Sequence, residues 1–418
     1  VPLLKALRMP RVTLLVADDV GLGKTIEAGL ILSELLLRRR IRRVLIITPA
    51  SLRMQWRDEM WTKFSLPFEV VDRDSTVQLR RQLGMDANPW RSHSRIITSY
   101  YYLKQADVLN EFLAACAAEK AGANLPWDLL IVDEAHNLTP PPFGDESDLC
   151  RMLRHISPLF EHRLFLTATP HNGHTRSFTG LLELLDPVRF SQTDEMKPAE
   201  KDRVGDVRIR RLKRQINAAT GSKKFCERLP PSALLLKLSR EEEALVGAFG
   251  DFRKAVRSLI QKGDKKRRLA GNFAIEILGK RLLSCPTAFA DSWWRCRAGI
   301  EGDDTATDQQ VLSAGKLLKE EKADDREANS LSHAAVATVG AWLRPYVKAL
   351  EDEVAAIEKA LVDLALSQDG PAMIERNPKA DARFSKLVNL IGERLRSGRD
   401  WRPDERLVIF TEYKTTMD

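Results

Sequence analysis

Short apolar, β-branched runs alternate with amphipathic stretches through residues 1–190, at 12–17, 44–48, 68–71, 95–98, 129–133 and 164–167. Several runs, such as VLIIT at 44–48, are continuously apolar rather than alternating. A strand covered by helices on both faces has no polar side, so this pattern predicts parallel strands. Between the runs, residues 24–38 and 52–61 have helical spacing. Strand–helix–strand repetition predicts a doubly wound α/β domain, in which ligands bind beyond the carboxyl ends of the strands.

The pattern changes after Pro187. Residues 191–230 are polar and basic and predict a linker, closed by Leu229, Pro230 and Pro231. A run at 233–238 predicts a short strand. Ser239 followed by Glu241, Glu242 and Glu243 suits a helix start, where a hydroxyl caps free N–H groups and acids offset the dipole. Helices are predicted over 240–263, 265–283 and 331–366, making 231–379 mainly helical. Residues 299–330 have few large apolar side chains and predict a mobile loop. Finally, 380–395 predicts a helix and RLVIFT at 406–411 a buried strand, which would open a second α/β unit over 380–418.

A chain of 418 residues suggests about two or three domains. Its 44% hydrophobic content excludes a wholly disordered chain. No apolar run approaches the ~18–20 residues that span a bilayer, so no membrane partner is expected. The chain opens at Val1 without a secretory pattern, and the expectation is that the natural start lies upstream. Lys and Arg total 66 against 58 Asp and Glu, a net +8 that suits a polyanionic partner without requiring one. The five cysteines form no C-x-x-C pair, which predicts reduced thiols in a cytoplasmic protein.

The strongest local chemistry is Asp18-Asp19-Val20-Gly21-Leu22-Gly23-Lys24-Thr25, between a predicted strand and a predicted helix. Gly21 and Gly23 allow a tight turn whose N–H groups face phosphate oxygens. The helix start adds partial positive charge, Lys24 a full one, and Thr25 a hydroxyl for Mg²⁺. Asp18 stands where the general phosphate-loop pattern has Gly. Asp133-Glu134-Ala135-His136 follows an apolar run, which places two carboxylates at a strand end. Asp133 suits Mg²⁺, a hard cation, and Glu134 is then free to act as general base. Thr167-Ala168-Thr169-Pro170 ends another strand, where His136 could bond the threonines and couple nucleotide state to a track.

This ordered set resembles helicase superfamily two, and within it the Swi/Snf-type translocases on double-stranded DNA. Supporting marks are Thr48-Pro49-Ala50-Ser51-Leu52 with Gln55-Trp56, Ser99-Tyr100, and Phe410-Thr411-Glu412-Tyr413. Thr169-Pro170-His171-Asn172-Gly173 and Leu184-Leu185-Asp186-Pro187 resemble the bacterial RapA-like branch, and residues 1–220 resemble the Swi/Snf-like helicase of the DISARM phage-defence system. The resemblance implies a RecA-like first domain over 1–190 and the start of a second over 380–418. It implies ATP and Mg²⁺ as cofactors, double-stranded DNA as a sequence-indifferent track, and defence or transcription proteins as further partners. Asp19 departs mildly from the Glu usual there, and the family's adenine segment and second-domain arginine would fall outside the chain. These 418 residues alone are therefore expected to be inactive.

The resemblance also implies DNA contact by Thr48, Pro49, Gln55, Ser99 and Tyr100, while Trp56, with Leu52 and Met60 one turn away on either side, reads as helix packing. The run Arg38–Arg43 reads as a solvated surface at a helix end. Arg210 and Arg211, in the cluster 208–214, are candidates for DNA or cleft contact. A strand-separating or RNA-directed helicase, RapA-like recycling of transcription complexes, and a non-catalytic nucleotide-binding scaffold are the alternatives. Intact Lys24, Asp133 and Glu134 weigh against the scaffold.

Overall fold

Seven strands form one wholly parallel sheet: β1 (Thr13–Val16), β2 (Val44–Thr48), β3 (Glu69–Val70), β4 (Arg95–Ser99), β5 (Trp127–Val132), β6 (Phe160–Leu166) and β7 (Arg208–Ile209), in the order β3-β4-β2-β5-β6-β1-β7. The computed structural model describes residues 1–119, 125–171, 173–221, 224–226, 229–319, 325–369, 377–411 and 416. It divides into two units, Val1–Leu229 and Pro230–Asp418.

Along each central strand, successive side chains enter different cores, as the period of two requires. Leu14, Val16, Val44, Ile46, Ile97, Leu129, Ile131, Leu164 and Leu166 face one side. There they meet α1 (Pro2–Arg8), α2 (Lys24–Leu37) and α3 (Arg53–Phe64) through Ala6, Ile31, Leu32, Leu35, Trp56 and Met60. Leu15, Leu45, Ile47, Ile96, Leu130, Val132 and Phe165 face the other. The remaining helices of this unit are α4 (Arg73–Leu83), α5 (Pro89–Ser92), α6 (Tyr100–Leu103), α7 (Ala106–Glu119), α8 (Asp148–Ile156), α9 (Thr175–Leu185), α10 (Pro198–Val207) and α11 (Lys213–Thr220). Of these, α5 to α10 bury Trp90, Leu103, Phe112, Leu153, Leu181 and Val207 in the second core. Each large side chain so buried contributes about 1.5–3 kcal/mol, which is why the runs read as apolar on both faces. The unit is a RecA-like doubly wound sheet with helices on both faces.

The predicted linker over 191–230 is corrected. Residues 198–220 form α10, β7 and α11, and β7 pairs with β1 at Leu15 and Val16. A strand of two residues gives too short an apolar pattern to read. The arginine run at 38–43 sits at the amino ends of the strands. There the Arg43 guanidinium lies over the Trp127 ring, 4.1 Å from its centroid, and donates to the carbonyl of Trp90 (2.6 Å), while Arg40 donates to those of Met9 and Pro10.

The second unit holds α12 (Arg240–Gln261), α13 (Lys265–Ser284), α14 (Pro286–Glu301), α15 (Asp308–Lys319), α16 (Asp325–Leu343), α17 (Glu351–Asp363), α18 (Ala382–Leu395) and a hairpin of β8 (Arg396–Ser397) with β9 (Asp400–Trp401). Ser239 caps α12 as its sequence predicts: the Glu242 N–H donates to Ser239 Oγ (3.1 Å) and the Ser239 N–H to Glu242 Oε2 (2.9 Å). The expected loop over 299–330 is corrected, since α15 and the start of α16 lie inside it. Small side chains there serve close helix packing: a Cβ on Gly299 would lie 2.4 Å from the Ala337 carbonyl oxygen. Residues 233–238 and 406–411 run without strand partners among the described residues, and Phe410 is 91% exposed. A strand needs a neighbour to satisfy its N–H and C=O groups, which an apolar run alone does not supply. Glu412 and Tyr413 lie outside the described residues. Among those residues, no helix is long and apolar enough to cross a membrane.

Packing of α2 on α3 gives a direct check. A Cβ on Gly29 would stand 2.2 Å from the Phe64 ring. Gly29→Ala is expected to lower the unfolding free energy by about 1–3 kcal/mol. Urea unfolding followed by circular dichroism measures this, and Phe64→Leu in the same chain should recover part of the loss.

Candidate functional site

The strand order β5-β6-β1-β7 brings four loops together at the carboxyl edge of the sheet. After β1 the chain turns through Gly21 (φ 77°) and Gly23 (φ 82°), left-handed conformations that glycine adopts at little cost. Gly23 then caps α2 with no side-chain acceptor, so the start of that helix carries no capping carboxylate or hydroxyl, an arrangement suited to an anion. Lys24 Nζ donates to the Asp18 carbonyl oxygen (3.2 Å), which folds the lysine back over the loop.

Asp18, where a general phosphate loop has Gly, is fully buried. Its Oδ1 accepts from the Arg211 backbone N–H (2.7 Å) and its Oδ2 from Arg211 Nε (3.0 Å). The same guanidinium also pairs with Glu27 in the first turn of α2. Burial pushes the Glu27 carboxyl up, opposed by the Arg211 hydrogen bond. Asp18 is thus a structural acid, enclosed and engaged by Arg211.

Beyond β5, Asp133 is 7% exposed and fully engaged: Trp56 Nε1 donates to Oδ2 (2.7 Å) and the Glu134 N–H to Oδ1 (2.9 Å). Burial raises the Asp133 carboxyl above its ordinary range, while the Trp56 bond and Lys24 oppose this. Glu134 moves the other way. Its Oε2 lies 3.2 Å from His136 Nδ1, and the imidazole holds its carboxyl below the usual range against burial, with Lys24 adding attraction. The Glu134 backbone is left-handed (φ 45°, ψ 47°), a strained conformation for a residue with a side chain. His136 Nδ1 also lies 3.0 Å from Thr167 Oγ1 at the end of β6, which in turn accepts the Thr169 N–H (3.1 Å). The predicted link from His136 to Thr167 is therefore present, whereas the Thr169 side chain is exposed.

The DNA-contact candidates divide. The side chains of Thr48, Ser99 and Tyr100 are buried, which takes their hydroxyls out of reach of a track and leaves the backbone N–H groups of their loops. Ser99 Oγ accepts the Tyr102 N–H (3.1 Å) at the start of α6, and the Tyr100 hydroxyl accepts from Asn137 Nδ2 (3.0 Å), so both shape loops rather than face a track. Pro49 is half-buried, and Gln55 and Arg210 are exposed. Arg211 is corrected: its guanidinium is engaged by Asp18 and Glu27. Trp56 packs as expected, 2% exposed. Its role as donor to Asp133 went unread, as did the Asp18–Arg211 pair, since the partners stand 77 and 193 residues apart.

A parallel sheet with a glycine-rich turn before α2, and paired carboxylates two strands away, belongs to a known class. Residues 3–217, just over half of the 418, match the SNF2-related domain, and the chain belongs to that family. Among solved structures it is similar to the Sulfolobus solfataricus SWI2/SNF2 ATPase core in complex with dsDNA, at 18% identity and TM-score 0.37, covering 68% of this chain and 56% of that one. The Sulfolobus solfataricus SWI2/SNF2 ATPase core domain matches at 16% and 0.36, covering 81% and 59%. The Pyrococcus furiosus Hef helicase domain matches at 14% and 0.37, covering 94% and 72%. The chain thus spans under two thirds of the length of either Sulfolobus chain.

The Trp56–Asp133 bond can be tested by pH. Asp133 titrates above the unfolded value of about 3.9, so its ionisation opposes folding, and the stability it contributes falls as pH rises through its raised value. Trp56→Phe removes the donor to the ionised form and keeps most of the ring. The variant is expected to lose about 1.5–3 kcal/mol at pH 7 and clearly less near pH 3, below the ordinary carboxylate value of about 3.9, where the raised carboxyl is protonated. Urea unfolding at both pH values decides; an equal loss at each would assign Trp56 to packing alone.

Proposed function

We propose that this protein is a nucleic-acid-stimulated ATP hydrolase that uses Mg·ATP to translocate along double-stranded DNA. The observation that carries the reading is that the left-handed Gly21–Gly23 turn and Lys24 follow β1, while Asp133 and Glu134 follow β5, at the same carboxyl edge of one parallel sheet. A cation and two carboxylates with opposite shifts, beside an uncapped helix start, are what phosphate, metal and water each require.

The residues fit Mg·ATP. The N–H groups of 21–25 and Lys24 would hold the β- and γ-phosphates, and Thr25 with Asp133 would hold Mg²⁺. Mg²⁺, when bound, neutralises phosphate charge. Glu134, held ionised by His136 and Lys24, would accept a proton from the attacking water. His136 and Thr167 fix the orientation of that loop and would carry nucleotide state toward β6.

Duplex DNA as the track is supported by the family match, by the order of the sequence motifs, and by the net charge of +8. With Thr48, Ser99 and Tyr100 buried, backbone N–H groups of their loops, Gln55 and Arg210 are the groups left to meet phosphates. A place in bacterial phage defence is supported by the resemblance of residues 1–220, and the neighbours of the gene would separate this from RapA-like recycling.

Two experiments test the reading. Lys24→Ala is expected to abolish tight binding of a fluorescent ATP analogue while the circular dichroism spectrum stays unchanged. Glu134→Gln should keep that binding and, assayed in the full-length protein with duplex DNA present, lower phosphate release by about 10²–10⁴; retained turnover would remove Glu134 from the role. In a second measurement, affinity for duplex DNA should be indifferent to sequence and fall steeply with salt, by about 0.9 in log–log slope per neutralised phosphate. Stimulation by RNA or single strands in place of duplex would favour the strand-separating alternative.

A further inference from the structure

The basic segment at 208–213 was expected to touch DNA or an interdomain cleft, yet the fold turns it toward the phosphate loop. The hydrogen bonding between β1 and β7 continues past the strand ends: the Ala17 N–H donates to the Ile209 carbonyl (2.7 Å) and the Asp19 N–H to that of Arg211 (3.0 Å). Arg211 returns its own N–H to Asp18 Oδ1 (2.7 Å). Its guanidinium joins the loop's first residue, Asp18, to Glu27 in the first turn after it. The Asp18 side chain is wholly enclosed and that of Glu27 is 15% exposed. Two residues on, Lys213 Nζ lies 3.5 Å from where a Cβ on Gly21 would stand.

Without Arg211, the enclosed Asp18 carboxylate and the largely enclosed Glu27 carboxylate would stand unneutralised beside the loop, and each would oppose an anion bound there. One guanidinium therefore sets both the shape of the loop and the sign of its field. From this geometry we infer that Arg211 is a positioning residue of the phosphate loop, and that residues 209–213 form a wall of the nucleotide site which tightens when phosphates bind. The inference rests on the nucleotide reading above. A planar fork is needed, because a single ammonium cannot serve Asp18 through two nitrogens and reach Glu27 as well.

The test combines nucleotide affinity with amide hydrogen exchange, using ATPγS and Mg²⁺ on the whole chain. In the unaltered protein, nucleotide should slow exchange in peptides covering 206–213 as well as 17–25. Arg211→Gln is expected to bind roughly tenfold or more weakly and to lose the slowing at 206–213 while keeping it at 17–25. Arg211→Lys should recover part of the affinity. Unchanged affinity and unchanged slowing in Arg211→Gln would overturn the inference. If that variant does not fold, absence of nucleotide-induced slowing at 206–213 in the unaltered protein overturns it equally. Lys24→Ala separates the two claims: binding unaffected by Lys24→Ala refutes the nucleotide reading itself. Binding abolished there but intact in Arg211→Gln refutes only the role of Arg211.

Discussion

Burial of the sheet on both faces leaves its carboxyl edge as the place where polar groups can gather. Leu129 and Ile131 fill one core, Leu130 and Val132 the other, so toward the carboxyl end of that strand the next residue free to be charged is Asp133. The same holds after Val16, where the chain reaches Ala17 and then Asp18, and after Leu166, where it reaches Thr167. Three of the groups enclosed at this edge find partners from other segments or from the same loop. Trp56 serves Asp133, Arg211 serves Asp18, and His136 serves Glu134 and Thr167 together. The site is in this sense a by-product of a sheet with no wet face, later specialised by its partners.

Adjacent carboxylates at 133 and 134 are driven apart in character by those partners. Asp133 is enclosed and raised by burial; Glu134, beside an imidazole and within the field of Lys24, is lowered. Divergent environments are how neighbouring acids acquire separate tasks, one suited to a strong cation and one to a proton. The Asp133 shift does not follow from the order Asp-Glu-Ala-His, because it depends on burial and on Trp56 from another element, whereas the Glu134 shift comes first from His136 inside that run.

What the sequence disclosed divides along the same line. The glycine turn, the strand-end carboxylates and the doubly wound sheet were legible because each is written in contiguous residues. The partners of Asp18 and Asp133 were not, since pairing across 193 and 77 residues leaves no local pattern. Composition misled where small residues replaced large ones: Gly299 lets α14 approach the α16 backbone at Ala337 and Gly315 lets α15 approach the Phe273 ring, so a shortage of bulky side chains read as a loop. Resemblance misled in a different way at Ser99 and Tyr100. Their residue types suit phosphate contact, but their hydroxyls are engaged in holding the loops, which only coordinates reveal.

The left-handed backbone at Glu134 has a consequence for how this position can vary. A side chain in that region costs of order 1–3 kcal/mol, and glycine would remove the strain. Glycine would also remove the carboxylate, and asparagine, the other residue at ease there, cannot accept a proton at neutral pH. Fold stability and chemistry therefore select opposite residues at 134. Under the proton-accepting role proposed for Glu134, a lineage that no longer needed the reaction would be drawn toward glycine or asparagine at this position.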